Sequence, residues 1–397
     1  MNDVAVNRVL WSRGLRAFAD GYMSLLLPVY LIALGFGPFE VGVIATATLL
    51  GSGVLTLFVG FHAHRFSSRT WLVLAAILMA ATGLGFAAVR DFWPLLVIAF
   101  VGTLNPSAGG VGVFLPLEHA VISRAVKDSD RTATFARYSL VGSLVAALGA
   151  LFAGFPELLQ AKSGIGTRAA LQVMFVLYAV FAVAAALVYA TLPRTEAAAP
   201  QRGGSLTKSR KMVYKLAALF SLDAFAGGLV LESMLVLWLF ETFRLSTATA
   251  GSIFFWTGVL SAFSFVIAVR IARRIGLVNT MVFTHLPSSV FLILVPFMPS
   301  LGWAIALLLA RSALSQMDVP TRTSYVMAIV PPEERAAAAS VTSVPRSFAS
   351  AVSPVIAGYL LSTSSFGWPL VVAGTLKIAY DIMLLYTCRN VRPPEET

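Results

Sequence analysis

The chain is poor in the residues that most active sites are built from. It has one cysteine and four histidines, and only 12% of its 397 residues are charged, against roughly 25% in ordinary soluble domains. A single thiol, Cys388, excludes an intramolecular disulfide. The histidines are scattered and no Cys/His set accompanies them, so no metal site is expected. No nucleophile–base arrangement, nucleotide loop or extramembrane domain is visible, which argues against an enzyme or a receptor. What the chain has in excess is apolar residues, 58% of the total, where roughly 45–50% is usual. That is a membrane composition. The formal charge of +11 invites nucleic acid, but the basic residues stand in short groups between apolar runs and form no basic domain. No nucleic-acid partner is expected, and the lipid bilayer is. The first apolar run is long and leads into another, so no cleavable signal peptide is expected.

A helix of about 20 apolar residues crosses roughly 30 Å of hydrocarbon. Twelve such runs are predicted, at 14–34, 41–61, 71–89, 93–123, 132–154, 169–192, 214–240, 248–269, 277–298, 302–330, 336–362 and 367–388. The expected fold class is therefore all-α, with twelve transmembrane helices. Basic residues orient them. Arg8, Arg13, Arg65, Arg69, Arg124, Lys127, Arg131, the run from Arg194 to Lys215, Arg270, Arg273, Arg274, Arg335, Arg389 and Arg392 all fall on one side. Only Arg90, Lys162, Arg168 and Arg244 fall on the other. Both termini are thus expected in the cytoplasm.

The longest hydrophilic stretch reads as a cytoplasmic linker at 194–213 between six-helix bundles at 1–193 and 214–397. The halves carry traces of a repeat. Pro332–Arg335 lies over Asp128–Arg131 at an offset of 204 residues, which also sets Ala357-Gly358 on Ala153-Gly154 and Pro320 on Pro116. Arg16–Gly21 (RAFADG) lies over Asp223–Gly228 (DAFAGG) at an offset of 207. An even number of spans per half makes this a parallel repeat, two pseudo-symmetric bundles about an axis along the membrane normal.

Twelve spans in two parallel halves with a basic central loop resemble the major facilitator superfamily. The loop between spans two and three, Gly60-Phe61-His62-Ala63-His64-Arg65-Phe66-Ser67-Ser68-Arg69, is similar to the family's Gly-x-x-x-Asp-Arg-x-Gly-Arg signature. Gly60, Arg65 and Arg69 fit it, and the resemblance makes them a conformational latch. His64 stands where the acid belongs, so the latch is altered. Gly142, Gly149 and Gly154 in span five lack the proline of the antiporter pattern. The resemblance implies alternating-access transport of a small molecule by a monomer of the bacterial cytoplasmic membrane, with no cofactor and a proton gradient as energy source. Proton-coupled efflux of a charged or amphipathic solute is the first expectation. An uptake symporter or facilitator for a small organic or inorganic anion is the alternative.

A charge at the bilayer centre costs roughly 2.5–3.5 kcal/mol on insertion scales, so charges within spans should face a partner or a wet cavity. Those charges are Arg16, Asp20, Glu118, Arg137, Asp223, Glu232, Arg311, Asp318, Arg322, Arg346, Lys377 and Asp381. The repeat sets Arg16 over Asp223 and Glu118 over Arg322, which predicts pairs facing each other across the axis. Three couples at i,i+4 spacing, Arg16–Asp20, Asp318–Arg322 and Lys377–Asp381, can instead pair within their own helix. For Lys377–Asp381, on peripheral span twelve, a structural pair is favoured. Arginine keeps its proton, so Arg16, Arg137, Arg322 and Arg346 are anion hooks or counter-ions. Asp20, Glu118, Asp223 and Asp318 are the candidate proton carriers, Asp20 and Glu118 first. His119 and His285 read as packing residues. Tyr22, Trp238 and Tyr325 are possible cavity aromatics. Asn105–Gly110 in span four, Pro320 and Pro345 predict bends or hinges.

Overall fold

A computed structural model describes residues 2–62, 65–107, 112–193 and 206–388. His64, part of the Asn105–Gly110 stretch and the linker as far as residue 205 lie outside them. The described residues contain helices and no strand, as a bilayer requires of any span that is not a closed barrel, since each backbone N–H and C=O must be satisfied within its own segment. The helices are α1 (Asn2–Ala33), α2 (Pro38–His62), α3 (Ser68–Ala88), α4 (Phe92–Val101), α5 (Phe114–Ala125), α6 (Asp128–Phe152), α7 (Phe155–Ser163), α8 (Thr167–Ala190), α9 (Arg210–Leu229), α10 (Glu232–Phe243), α11 (Thr247–Ile275), α12 (Leu277–Leu294), α13 (Leu301–Ser315), α14 (Asp318–Ile329), α15 (Arg335–Thr363) and α16 (Trp368–Cys388).

Nine helical stretches among the described residues are long and apolar enough to cross a membrane. The other three expected spans fall outside that test for visible reasons. Spans four and ten are each broken into two short helices, α4–α5 and α13–α14, and span eleven is α15, 29 residues rich in Ala and Ser. In span four, where a bend is expected, α4 ends at Val101 and α5 begins at Phe114. Asn105 Oδ1 accepts from the Ser107 N–H (3.0 Å) and Thr82 Oγ1 from the Thr103 N–H (3.3 Å), so the freed backbone finds side-chain partners. Span ten breaks at Gln316–Met317, ahead of Pro320, which falls in the first turn of α14 where a missing N–H is tolerated. Span seven also breaks, at Val230–Leu231, just after Gly227 and Gly228, where no break was expected. Pro345 does not end its helix: α15 runs through it.

The chain divides into two compact units, Met1–Pro200 with Leu231–Phe255, and Gln201–Val230 with Trp256–Thr397. In the first, α1 packs on α6 and α8, and α3 on α8, with Phe86 stacked on Phe175 at 5.3 Å beside Tyr30. In the second, α9 packs on α15 and α12 on α16, around Phe220, Val282, Tyr325, Tyr380 and Leu384.

The repeat is built into this packing. Helices α5 and α14 have 12 residues each and start and end 204 residues apart. A Cβ on Gly21 would lie 2.1 Å from the Ala146 carbonyl oxygen, and one on Gly228 would lie 2.4 Å from the Ser350 carbonyl oxygen. These two contacts are equivalent under the offsets of 207 and 204. The glycine shared by RAFADG and DAFAGG is therefore the point where the first helix of each half touches the fifth, backbone to backbone.

Polar turns anchor the helix ends. The Pro332–Arg335 turn supplies Glu334, only 4% exposed, whose carboxylate accepts from the Thr207 N–H and hydroxyl (3.0 and 2.6 Å), the Lys208 N–H (2.8 Å), the Ser209 N–H (3.0 Å) and the Ser209 hydroxyl. This carboxylate sits at the positive N-terminal end of α9 and satisfies the donors there. The hydroxyls of Ser209 and Thr207, then the Lys208 N–H, hold it well below the usual carboxylate range.

Candidate functional site

Helical spacing puts Arg13, Arg16 and Asp20 on one face of α1. Arg16 is buried, and its guanidinium leaves Asp20 for α5: Nη2 lies 2.5 Å from Glu118 Oε2, while Nε donates to Tyr189 Oη at 2.9 Å. Glu118 has no exposed surface. Its two oxygens also accept from the hydroxyls of Tyr138 and Tyr189, both at 2.5 Å. A buried carboxylate with one cation and two phenols is fully provided for. The Phe114 ring, 3.9 Å from the Arg16 guanidinium carbon, covers its face. Asp20 takes a hydrogen bond from Tyr178 at 3.3 Å. The predicted Arg16–Asp20 helix pair is thus not made.

Arg13, Arg16 and Asp20 line a small void, with Ser52, Thr103 and Asn105 adding polar edges and Met79 and Phe114 apolar walls. The broken part of span four forms one side, with Gly112 at φ +149°, a backbone shape that suits glycine.

In the second unit the hub is Asp223 on α9. Lys377 Nζ lies 2.7 Å from its Oδ1, and Arg322 Nη2 lies 3.0 Å from its Oδ2. Arg322 also donates to Asp318, so this i,i+4 pair does form. Its Nε and Nη1 have no partner among the described residues. His285 on α12 completes the group, with Nδ1 at 3.0 and 3.1 Å from the Asp381 oxygens and Nε2 at 3.5 Å from Lys377 Nζ. All six side chains are buried.

Three expectations are corrected here. Arg16 and Glu118 pair with each other, as do Arg322 and Asp223, so the partners lie inside each unit and not across the axis. The reason is the repeat itself: equivalent positions carry opposite signs, so each half already contains a complementary pair. Lys377 and Asp381 are no self-contained couple on a peripheral helix, because Lys377 turns to Asp223 and Asp381 to His285. His285, expected to be a packing residue, belongs to this polar group.

Other predicted residues make none of these ion pairs. Arg137 and Arg346 are exposed on α6 and α15. Tyr22 is buried with its hydroxyl on the Met174 carbonyl (3.3 Å), Trp238 packs edge-on against Phe243, and Tyr325 lies in the core of the second unit. His119 packs between Phe135 and Tyr138. Of the latch residues, Arg69 donates to the Leu192 carbonyl at 3.2 Å, at the end of α8. Gly60 has open space around it, and Arg65 is exposed in the following turn. Sequence reasoning missed Tyr138, Tyr178 and Tyr189, which look like any interfacial aromatics until the carboxylates they serve are located.

The sequence profile of the Major Facilitator Superfamily matches residues 9–311 and 216–397, which together take in nearly the whole chain. The chain belongs to the major facilitator superfamily. It is a multi-pass membrane transporter of the secondary type, not an enzyme. An uncharacterized membrane protein of Saccharomyces cerevisiae, YJR124C, is 26% identical over 415 residues, covering 95% of this chain and 92% of its own. Among solved structures, a bacterial homolog of the human lysosomal transporter Spinster, in an inward-facing and occupied conformation, superposes with a TM-score of 0.78 at 13% identity, covering 97% of this chain and 96% of that one. The nucleoside transporter NupG gives 0.72 at 12%, covering 97% and 98%. The human organic anion transporter MFSD10 gives 0.65 at 17%, covering 96% and 99%. At these identities the likeness is one of fold.

Proposed function

We propose that this transporter is a proton-coupled exporter of a small charged or amphipathic solute, bound in the first unit at the void between α1 and the broken span four. The observation that carries the reading is the convergence there of Arg13, Arg16 and the Asp20 carboxylate beside the apolar walls of Met79 and Phe114. Fixed cations hold an anionic group, the carboxylate a cationic or hydroxyl group, and the walls an apolar body. The protein works as a monomer in the bacterial cytoplasmic membrane with both termini inside, without a cofactor. Residues 1–193 and 214–397 are the moving bodies and Gly60, Arg65 and Arg69 the latch. The contacts of 231–255 with the rest of the first unit, among them Ser24 Oγ to Glu232 Oε2 at 3.0 Å, are those the cycle breaks.

Two basic side chains against one acid on that void favour, as a second reading, uptake of a small anion. A thermal-shift screen of the purified protein against anions, cations and zwitterions supplies the solute, since a ligand of the folded state raises its apparent stability. Everted vesicles then separate the readings. Accumulation of that solute that collapses with the pH gradient is expected, and accumulation indifferent to the gradient sinks proton coupling.

A further inference from the structure

The polar group of the second unit is out of charge balance in a way that the first is not. Within hydrogen-bonding contact it holds three carboxylates, Asp223, Asp318 and Asp381, and two basic side chains, Arg322 and Lys377. Three against two leaves one negative charge over, and among the described residues His285 is the titratable side chain that lies beside two of the carboxylates, Asp381 and Asp223. Its Nδ1 faces Asp381 at 3.0 Å, and its Nε2 lies 3.5 Å from Lys377 Nζ and 3.8 Å from Asp223 Oδ1. An ammonium has donors and no lone pair, so towards Lys377 the Nε2 is an acceptor, and the ring proton of the neutral imidazole sits on Nδ1, donated to Asp381.

We propose that His285 takes up and releases the coupled proton, exchanging Lys377 for Asp223 as the partner of its Nε2. This rests on the proton-coupled reading above. A proton from water adds to the Nε2 lone pair, and the Nζ–H···Nε2 contact is lost while Lys377 keeps all three of its own protons. The new Nε2–H is left to donate to Asp223 Oδ1, and release runs the same exchange backwards. Asp223 is also the acceptor for Lys377 on α16 and Arg322 on α14. Its competition for the new donor therefore reaches three helices besides α12. No covalent bond between heavy atoms changes.

The charges facing this histidine come from every neighbouring element. Helix α16 supplies Lys377, Asp381 and the Tyr380 ring, 6.0 Å away and edge-on. Helix α14 supplies Asp318 and Arg322, and α9 supplies Asp223. Arg311 on α13 and Arg346 on α15 act on Asp223 through the longer-range field only. The imidazole is 3% exposed. A cation there must be compensated locally, and Asp381 and Asp223 are the groups that do it.

The test uses the full-length protein in detergent micelles with 15N-labelled histidine and the proton as the probe. The variant His62→Gln/His64→Gln/His119→Gln leaves His285 as the sole histidine, and the spectrum of the wild type, with its four histidines, is the control for folding. A neutral imidazole protonated on Nδ1 at high pH is expected, passing to the doubly protonated form between about pH 5 and about pH 9. Added to that background, Lys377→Met moves the midpoint to higher pH and Asp381→Asn moves it to lower pH, each by about one unit or more. A histidine of merely structural role shows no such paired, opposite shifts. The proposal is overturned by an imidazole that stays in one form across the range, by an Nε2–H tautomer at high pH, or by midpoints that ignore both charge changes. Gradient-driven transport in vesicles with a silent His285 refutes this site and leaves proton coupling standing. A titrating His285 with gradient-independent transport refutes the coupling reading and leaves the proton site standing.

Discussion

Glu118 and Arg322 stand at the same place in the two halves of the molecule, on helices of equal length displaced by 204 residues, yet they carry opposite charges and keep different company. In the first unit the pair is closed: Arg16 has one carboxylate, Glu118, and that carboxylate is finished by two tyrosines. In the second unit Asp223 answers Arg322 from the position equivalent to Arg16, but it shares itself with Lys377, and Arg322 has Asp318 as well. The duplicated scaffold holds an ion pair between the first and fourth spans of each half. It leaves the sign of each partner free. The first unit uses the freedom to make a balanced pair beside a void. The second makes an open network with a histidine in it.

This contrast can be broken by removing charge from each side. Glu118→Gln leaves Arg16 buried without a counter-ion and is expected to cost about 3–5 kcal/mol of stability, read as a drop in thermal unfolding temperature in detergent. Arg16→Gln/Glu118→Gln should recover part of that loss, and strictly additive losses would show that the two do not interact. Asp318→Asn is expected to cost less, about 1.5–3 kcal/mol, because Arg322 keeps Asp223. Equal losses for the two carboxylates would erase the distinction between a closed pair and a shared network.

The shared scaffold is tested by Gly21→Ala and Gly228→Ala. Each forces the first and fifth spans of its half apart, and each should lower stability by about 1–3 kcal/mol. A large loss in one half and none in the other would contradict equivalent helix crossings. The smallest expected effect lies outside the membrane. Glu334 is held below its ordinary range by donors from Thr207, Lys208 and Ser209, so the folded state binds its proton more weakly than the unfolded chain does. Its contribution is complete above the unfolded value of about 4.3 and fades as pH falls below it. The unfolding-temperature advantage of the wild type over Glu334→Gln should therefore be full at neutral pH and shrink on acidification below about pH 4. An advantage that stays constant through that range would show that the carboxylate is not held in its charged form.

Much of this was readable beforehand. Apolar runs, the one-sided basic residues and the two short alignments led to a helical membrane protein in two related halves. The break in span four was announced by Asn105, Pro106 and the glycines that follow. The break in span seven was not foreseen, although Gly227 and Gly228 stand just ahead of Val230 and Leu231. The charged positions Arg16, Asp20, Glu118, Asp223, Asp318 and Arg322 were also legible, because a charge in an apolar run has to be compensated somewhere.

Partner choice was not legible. Arg16 has Asp20 one turn away and Lys377 has Asp381, and helical spacing alone favours those couples. Each cation instead reaches a carboxylate on another helix, Glu118 at 2.5 Å and Asp223 at 2.7 Å. Periodicity reports which residues share a face of one helix, and it carries no information about what the neighbouring helix brings to that face. Sequence by itself determined the spans, the repeat and the need for buried compensation, all of which follow from local hydrophobicity and chain order. Only the tertiary structure, which brings α5 to α1 and sets Arg322 of α14 and Lys377 of α16 against Asp223 of α9, decided which charges meet, because Coulomb attraction in a dry interior acts at contact distance between segments about 100 residues or more apart in the chain.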